Sequence, residues 1–207
     1  MMTIKDMTIL QKRLLWLRAL SLLQIATICG TAFAASAMAD ITNYETEGNL
    51  KPTHRIGCAT LAEIGNEITP ADLALGFETC MQKQDYVPAV TLLAVMRLRA
   101  HFDTKRVTDK TAHGAGQVLT LNALSQLSER KKKFLSLTFE RSLARGAETH
   151  TAICDHARSN GPPSYIPHYM IQHGLAAFKD KPGPALVDPF DANRAWQNSL
   201  TQYFKCS

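Results

Sequence analysis

What this sequence lacks comes first. It has no G-x-S-x-G, no H-E-x-x-H and no glycine-rich phosphate loop, which removes the motif-based grounds for a serine hydrolase, a zincin or a nucleotide-binding enzyme. It has no C-x-x-C pair, so no two cysteines form half of a zinc knuckle. No stretch alternates in the way of a half-buried strand, and no hairpin signal occurs. Beyond residue 39 there is no long apolar run. Aromatic residues make up only 7% of the chain. No cofactor and no metal is expected from these patterns.

What is present begins at the N-terminus. Lys5, Lys12, Arg13 and Arg18 form a positive region, an apolar stretch runs from Leu20 to Ala34, and small residues follow through Ala39. This order matches a cleavable Sec-type signal peptide over residues 1–39, with Ala37-x-Ala39 as cleavage site and Ala32-x-Ala34 as a second. The apolar stretch falls short of the roughly 20 residues a bilayer requires. Ile28 stands before Cys29 where a lipoprotein signal needs a small residue. Export to the periplasm (or secretion) is the expectation, with no transmembrane segment in the mature form.

Residues 1–39 carry four basic side chains and one acidic one, which leaves +2 of the chain's +5 on the remainder. That small excess argues against a nucleic-acid binder, which needs a concentrated basic face. The remaining 168 residues suit one domain. Residues 40–55 are polar and read as an extended lead-in, and 56–207 as a single helical domain.

Four cysteines follow the expected cut: Cys58, Cys80, Cys154 and Cys206. An even number in an exported chain reads as disulfides. Of the three possible pairings, Cys58–Cys80 with Cys154–Cys206 is favoured, because each bridge ties one end of the chain to a nearby helix.

Helix signals dominate from Thr69 onward. Thr69-Pro70-Ala71-Asp72 supplies an N-cap, a first-position proline and a first-turn acid. Asp85 can cap a second helix, apolar around most of its circumference (Val87, Val90, Leu93, Leu98, Phe102) and therefore expected at the centre. Further helices are predicted over Lys110–Leu127, over Glu129–Arg145 capped by Ser128 and ended by Gly146, over Thr149–Arg158, over Tyr165–Phe178, and from Asp191 through Phe204. Pro/Gly loops are predicted at Ser159–Pro163 and Lys179–Pro189. The predicted class is all-α, with six to eight helices.

Leu73 and Phe77 on the first helix, Asp85-Tyr86 in the turn, and Ala89 with Leu93 on the second resemble one tetratricopeptide unit, from Leu73 to about Ala100. Gly76 and Cys80 depart from that pattern, and no second copy recurs about 34 residues later. The resemblance implies a helical hairpin and a protein-binding role.

Several clusters are candidates for function. Tyr165, Tyr169 and His173 recur at steps of four, so on a helix they share one face. With His168 and Gln172 they form a polar-aromatic candidate for binding a partner or ligand. The alternative is that the rings pack inside the fold. Arg130, Lys131, Lys132 and Lys133 form the strongest basic run, suited to an acidic partner or simply to a solvated helix face. His150, Cys154 and His156 can serve as metal ligands only if Cys154 is free. His101, Asp103, Asp109 and His113 bring histidines near carboxylates; Asp109 is equally suited to capping a helix and to pairing with Arg106. The favoured function is non-enzymatic: an exported helical protein that binds another protein in the cell envelope. Its size, export and stapled helices are similar to those of some periplasmic immunity proteins. Two alternatives stand beside it, a small-molecule or cell-wall-fragment binder using the Tyr/His face, and an envelope enzyme with His113 or His173 as base.

Overall fold

The structure, a computed structural model, describes residues 46–207. Residues 1–39, expected to be a signal peptide, and the first residues of the expected lead-in lie outside the described residues. The protein is all-α, and among the described residues the only β pairing is an isolated bridge between Val107 and Leu186. No helix of the described residues is long and apolar enough to cross a membrane.

Among the described residues there are seven α-helices: α1 (Pro70–Lys83), α2 (Tyr86–Arg106), α3 (Ala115–Ser125), α4 (Glu129–Ser142), α5 (Glu148–Asn160), α6 (His168–Ile171) and α7 (Ala192–Asn198). Short 3-10 turns at Leu61–Glu63, Lys110–Gly114 and Leu175–Phe178 join them, and a π-turn, Ser199–Tyr203, continues α7.

Local chemistry explains the starts. The Thr69 hydroxyl accepts the Asp72 amide at 3.1 Å and the Asp72 carboxylate accepts the Thr69 amide at 2.8 Å, a reciprocal cap for α1. Ser128 caps α4, and Asp191 caps α7 through the Arg194 amide at 3.0 Å. Asp85 occupies the N-cap position of α2 without a side-chain hydrogen bond.

α2 is the axis of the fold. Side chains on all its faces are buried, from Ala89 to Arg106, and it contacts α1, α3, α4, α5 and α7. Its closest partner is α1, joined to it by a two-residue turn in which Gln84 adopts the left-handed conformation. Gly76 permits a close approach on α1: a Cβ there would lie 2.9 Å from the Gly57 carbonyl oxygen and 3.0 Å from Leu92. The main core gathers Leu73, Phe77, Leu92 and Met96 with Leu119, Leu135 and Ile153. A second, smaller cluster at the C-terminal end of α2 holds Leu98, Phe102, Cys154, Trp196 and Leu200. There the Trp196 ring meets Phe102 edge-on at 5.4 Å and its N–H donates to the Ala157 carbonyl.

Both favoured disulfides form. Cys58–Cys80 fastens the segment before α1 to its last turn, and Cys154–Cys206 fastens α5 to the C-terminus. Each typically stabilises by about 2–4 kcal/mol, chiefly by restricting the unfolded chain.

The lead-in is tied down where it is described: the Leu50 amide donates to the Tyr169 carbonyl at 3.1 Å, and the Thr53 and His54 amides donate to buried Asp72 at 2.6 and 2.7 Å. One expectation needs correction. The single helix predicted over Tyr165–Phe178 is instead α6, of four residues, and a separate 3-10 turn. Pro167 holds the N-cap of α6, and Gly174 is extended and interrupts the run. The turn after it is pinned from outside, since Thr111 Oγ1 accepts the Leu175 amide at 2.8 Å and Asp109 Oδ2 the Ala176 amide at 2.7 Å.

Candidate functional site

Tyr165 and Tyr169 turn inward. Both hydroxyls donate to one oxygen of Asp103 on α2, at 3.0 and 2.8 Å. Asp103 is wholly buried, and Tyr169 is 2% exposed. Arg106 completes the cluster. Its Nε donates to Asp103 Oδ1 at 2.8 Å, and one terminal nitrogen donates to the Tyr165 carbonyl at 2.8 Å. The other sits 2.7 Å from Asp103 Oδ1 in ion-pair contact without a hydrogen bond. The guanidinium lies between two rings, 5.0 Å from the centroid of Phe102 and 4.9 Å from that of Tyr165. Burial pushes the Asp103 carboxyl up, while Arg106 and the phenols pull it down. Burial, followed by the charge of Asp103, pushes both phenols well up, which keeps them as donors. The cluster locks the segment around α6 onto α2 and commits both tyrosine hydroxyls to Asp103.

The other members of the stretch divide. His173 is half-buried and its Nδ1 lies 2.9 Å from Asn49 Oδ1, in the lead-in. His168 is exposed and Gln172 half-buried, and both line a cleft of about 660 Å³. One wall is α6 with Ile166 and Ile171; the other is the Pro/Gly loop at Pro182–Leu186. That loop is fixed against the end of α2: Val187 donates its amide to the Arg106 carbonyl at 2.8 Å, and Thr108 donates its amide to Ala185 at 3.1 Å. The cleft is mostly apolar, with Thr108, Asp109, His168, Gln172 and Lys179 as its polar points. Large apolar side chains stand exposed beside it: Ile166 at 55%, Leu175 at 64% and Val187 at 38%. Sequence reasoning reached His168 and Gln172 but missed Ile166, Leu175 and the loop wall. The signal available was the pair of apolar residues left over once Tyr165 and Tyr169 face the core.

The basic run does not act as one patch. Lys131 reaches across to the Met81 carbonyl at 3.1 Å, in the last turn of α1, where a cation suits the helix dipole. Lys132 pairs with Glu129 at 2.8 Å, and Arg130 lies over the Phe134 ring at 5.9 Å. Lys133 is exposed.

The histidine candidates disperse as well. Cys154 is bonded to Cys206 and is not available as a ligand. His150 and His156 each face a backbone carbonyl, of Phe204 and of Ile64, both at 3.1 Å. Among the described residues no three potential ligands cluster around a metal position. Asp109 caps the Lys110–Gly114 turn through Thr111, whose hydroxyl, together with the Ala176 amide, holds its carboxyl below the ordinary value. Arg106 pairs with Asp103, not with Asp109. His113 bonds the Val107 carbonyl at 2.9 Å, and neither Asp103 nor Asp109 is hydrogen-bonded to a histidine. No family model, no curated protein and no solved structure matches this chain.

Proposed function

We propose that this is an exported, non-enzymatic helical protein that binds another protein in the cell envelope, through the cleft between α6 and the Pro182–Leu186 loop. The observation that carries the reading is the pairing of a concave apolar cleft with projecting apolar side chains at its edge, Ile166 and Leu175 above all. A small molecule filling the cleft leaves those ridges in water, whereas a protein surface covers cleft and ridges together. The expected occupant is an apolar side-chain cluster of the partner, with His168 and Gln172 supplying orienting hydrogen bonds at the rim. A periplasmic immunity or inhibitor protein is one concrete form of this function. Two disulfides support residence in an oxidising compartment.

The test is capture from envelope extract by the oxidised protein, comparing wild type with an Ile166→Asp/Leu175→Asp double variant and with Tyr165→Phe. Both substituted apolar residues are exposed, so the fold should survive. The expected outcome is one stoichiometric protein held by wild type and Tyr165→Phe and lost by the double variant. Equal capture by all three proteins, or none by any, contradicts the reading.

A further inference from the structure

A second concavity lies along α2 and α3, and none of its lining belongs to the cleft above. It has two parts that meet at Arg97 and Tyr203: a polar half of about 420 Å³ and an apolar half of about 270 Å³.

Sequence dictates how the polar half forms. Gly116 on α3 lets that helix approach α2 closely, since a Cβ there would fall 2.5 Å from the Ala100 Cβ. The two helices therefore meet as bare backbone and small side chains. The groove above them is walled by His101, His113 and Gln117. Tyr203 is delivered by the π-turn, close to the Cys154–Cys206 bridge, and stacks on His101 with ring centroids 4.1 Å apart and planes 5° apart. Burial, with the nearby Lys105 charge adding to it, pushes the His101 pKa down, so this imidazole is neutral at neutral pH. His113 faces the Val107 carbonyl with Nε2 at 2.9 Å, and because a carbonyl only accepts, that nitrogen donates. The more apolar half is lined by Phe139, Leu143 and Phe204, with His150 at its wall.

The charge of the groove has one sign. No carboxylate lines either half, and Arg97 is the one formal charge. Among the described residues Arg97 has no ion-pair partner; it rests over the Phe139 ring at 5.9 Å. A guanidinium without a carboxylate, placed where a polar and an apolar half meet, is matched by one ligand chemistry. We propose that this groove binds a small amphipathic carboxylate, of which an N-acyl amino acid is the simplest form. The carboxylate sits on Arg97 as a charge-assisted pair, the polar head lies against His113 and Gln117, and the acyl chain lies between Phe139, Leu143 and Phe204.

The test is a two-dimensional NMR titration of the oxidised protein with N-hexanoylglycine and, separately, with its neutral amide, N-hexanoylglycinamide. The expected result is saturable shifts confined to Arg97, Gln117, Tyr203, Phe204 and their neighbours. The acid should bind about tenfold or more tightly than the amide, the scale of one charged hydrogen bond. Arg97→Gln should remove that preference, and Gln117→Glu, a second exposed position, should abolish binding by like-charge repulsion; unchanged spectra elsewhere report an intact fold. The proposal is overturned if neither probe gives saturable shifts, if acid and amide bind alike, or if Arg97→Gln leaves the preference unaltered. Because no variant touches the α6 cleft, loss of this site and loss of partner binding are separable.

Discussion

Asp103 is the residue that ties the segment around α6 to α2. It is wholly buried and accepts hydrogen bonds from Tyr165, Tyr169 and Arg106. Removing it strands a guanidinium and two phenols without their acceptor, and breaking a buried pair from one side costs about 3–5 kcal/mol. Asp103→Ala is therefore expected to lower stability by that amount, whereas Tyr169→Phe, which deletes one hydroxyl and leaves the carboxylate two other donors, should cost about 1–2 kcal/mol. Urea unfolding of both variants checks the ordering. A Tyr169→Phe loss equal to that of Asp103→Ala would show that the cluster is not organised around the carboxylate.

At the level of elements, Asp72 serves two at once. It closes the cap of α1 and holds the lead-in through the amides of Thr53 and His54. Burial alone would push its carboxyl up, but the His54, Thr69 and Thr53 hydrogen bonds outweigh it and the carboxyl lies below its ordinary value. A carboxyl depressed in the folded state contributes stability above its unfolded pKa, near 3.9, and loses it as pH falls through the lower folded value. Asp72→Asn should thus lower the melting temperature at neutral pH and flatten its decline between about pH 5 and pH 2. Parallel wild-type and variant curves across that range would exclude Asp72 as a source of acid sensitivity. The caps at Thr69, Ser128 and Asp191 were legible in the sequence because donor and acceptor lie within three residues. The break between α6 and the following turn was not. The stretch Tyr165–Phe178 has helical spacing, and what overrides it at Gly174 is a pair of acceptors 64 and 67 positions away, Thr111 Oγ1 for the Leu175 amide and Asp109 Oδ2 for the Ala176 amide. Lys131 is similar: its run reads as a cationic start that opposes the helix dipole, and the conflict is relieved by a carbonyl 50 residues back, at the end of α1.

For the whole molecule, the sequence established a helical domain stapled at both ends, since class and cysteine pairing follow from periodicity and from which segments the bridges can join. The docking surface was half legible. His168 and Gln172 stood out by type, but the cleft also needs the Pro182–Leu186 wall, whose position is set by hydrogen bonds to Arg106 and Thr108 on the far side of the chain. A loop of prolines and glycines carries no periodicity from which that contact can be read. The fold thus separates two surfaces around α2, an apolar cleft beside α6 and a cationic groove beside α3. The most direct test of the docking surface is site-specific photo-crosslinking in envelope extract, with the photoreactive side chain at Leu175 or at Leu121, which is comparably exposed but lies on α3. One discrete adduct from position 175, absent from position 121 and removed by Ile166→Asp, is the predicted result. The same adducts from both positions, or none from 175, would contradict the assignment of this surface.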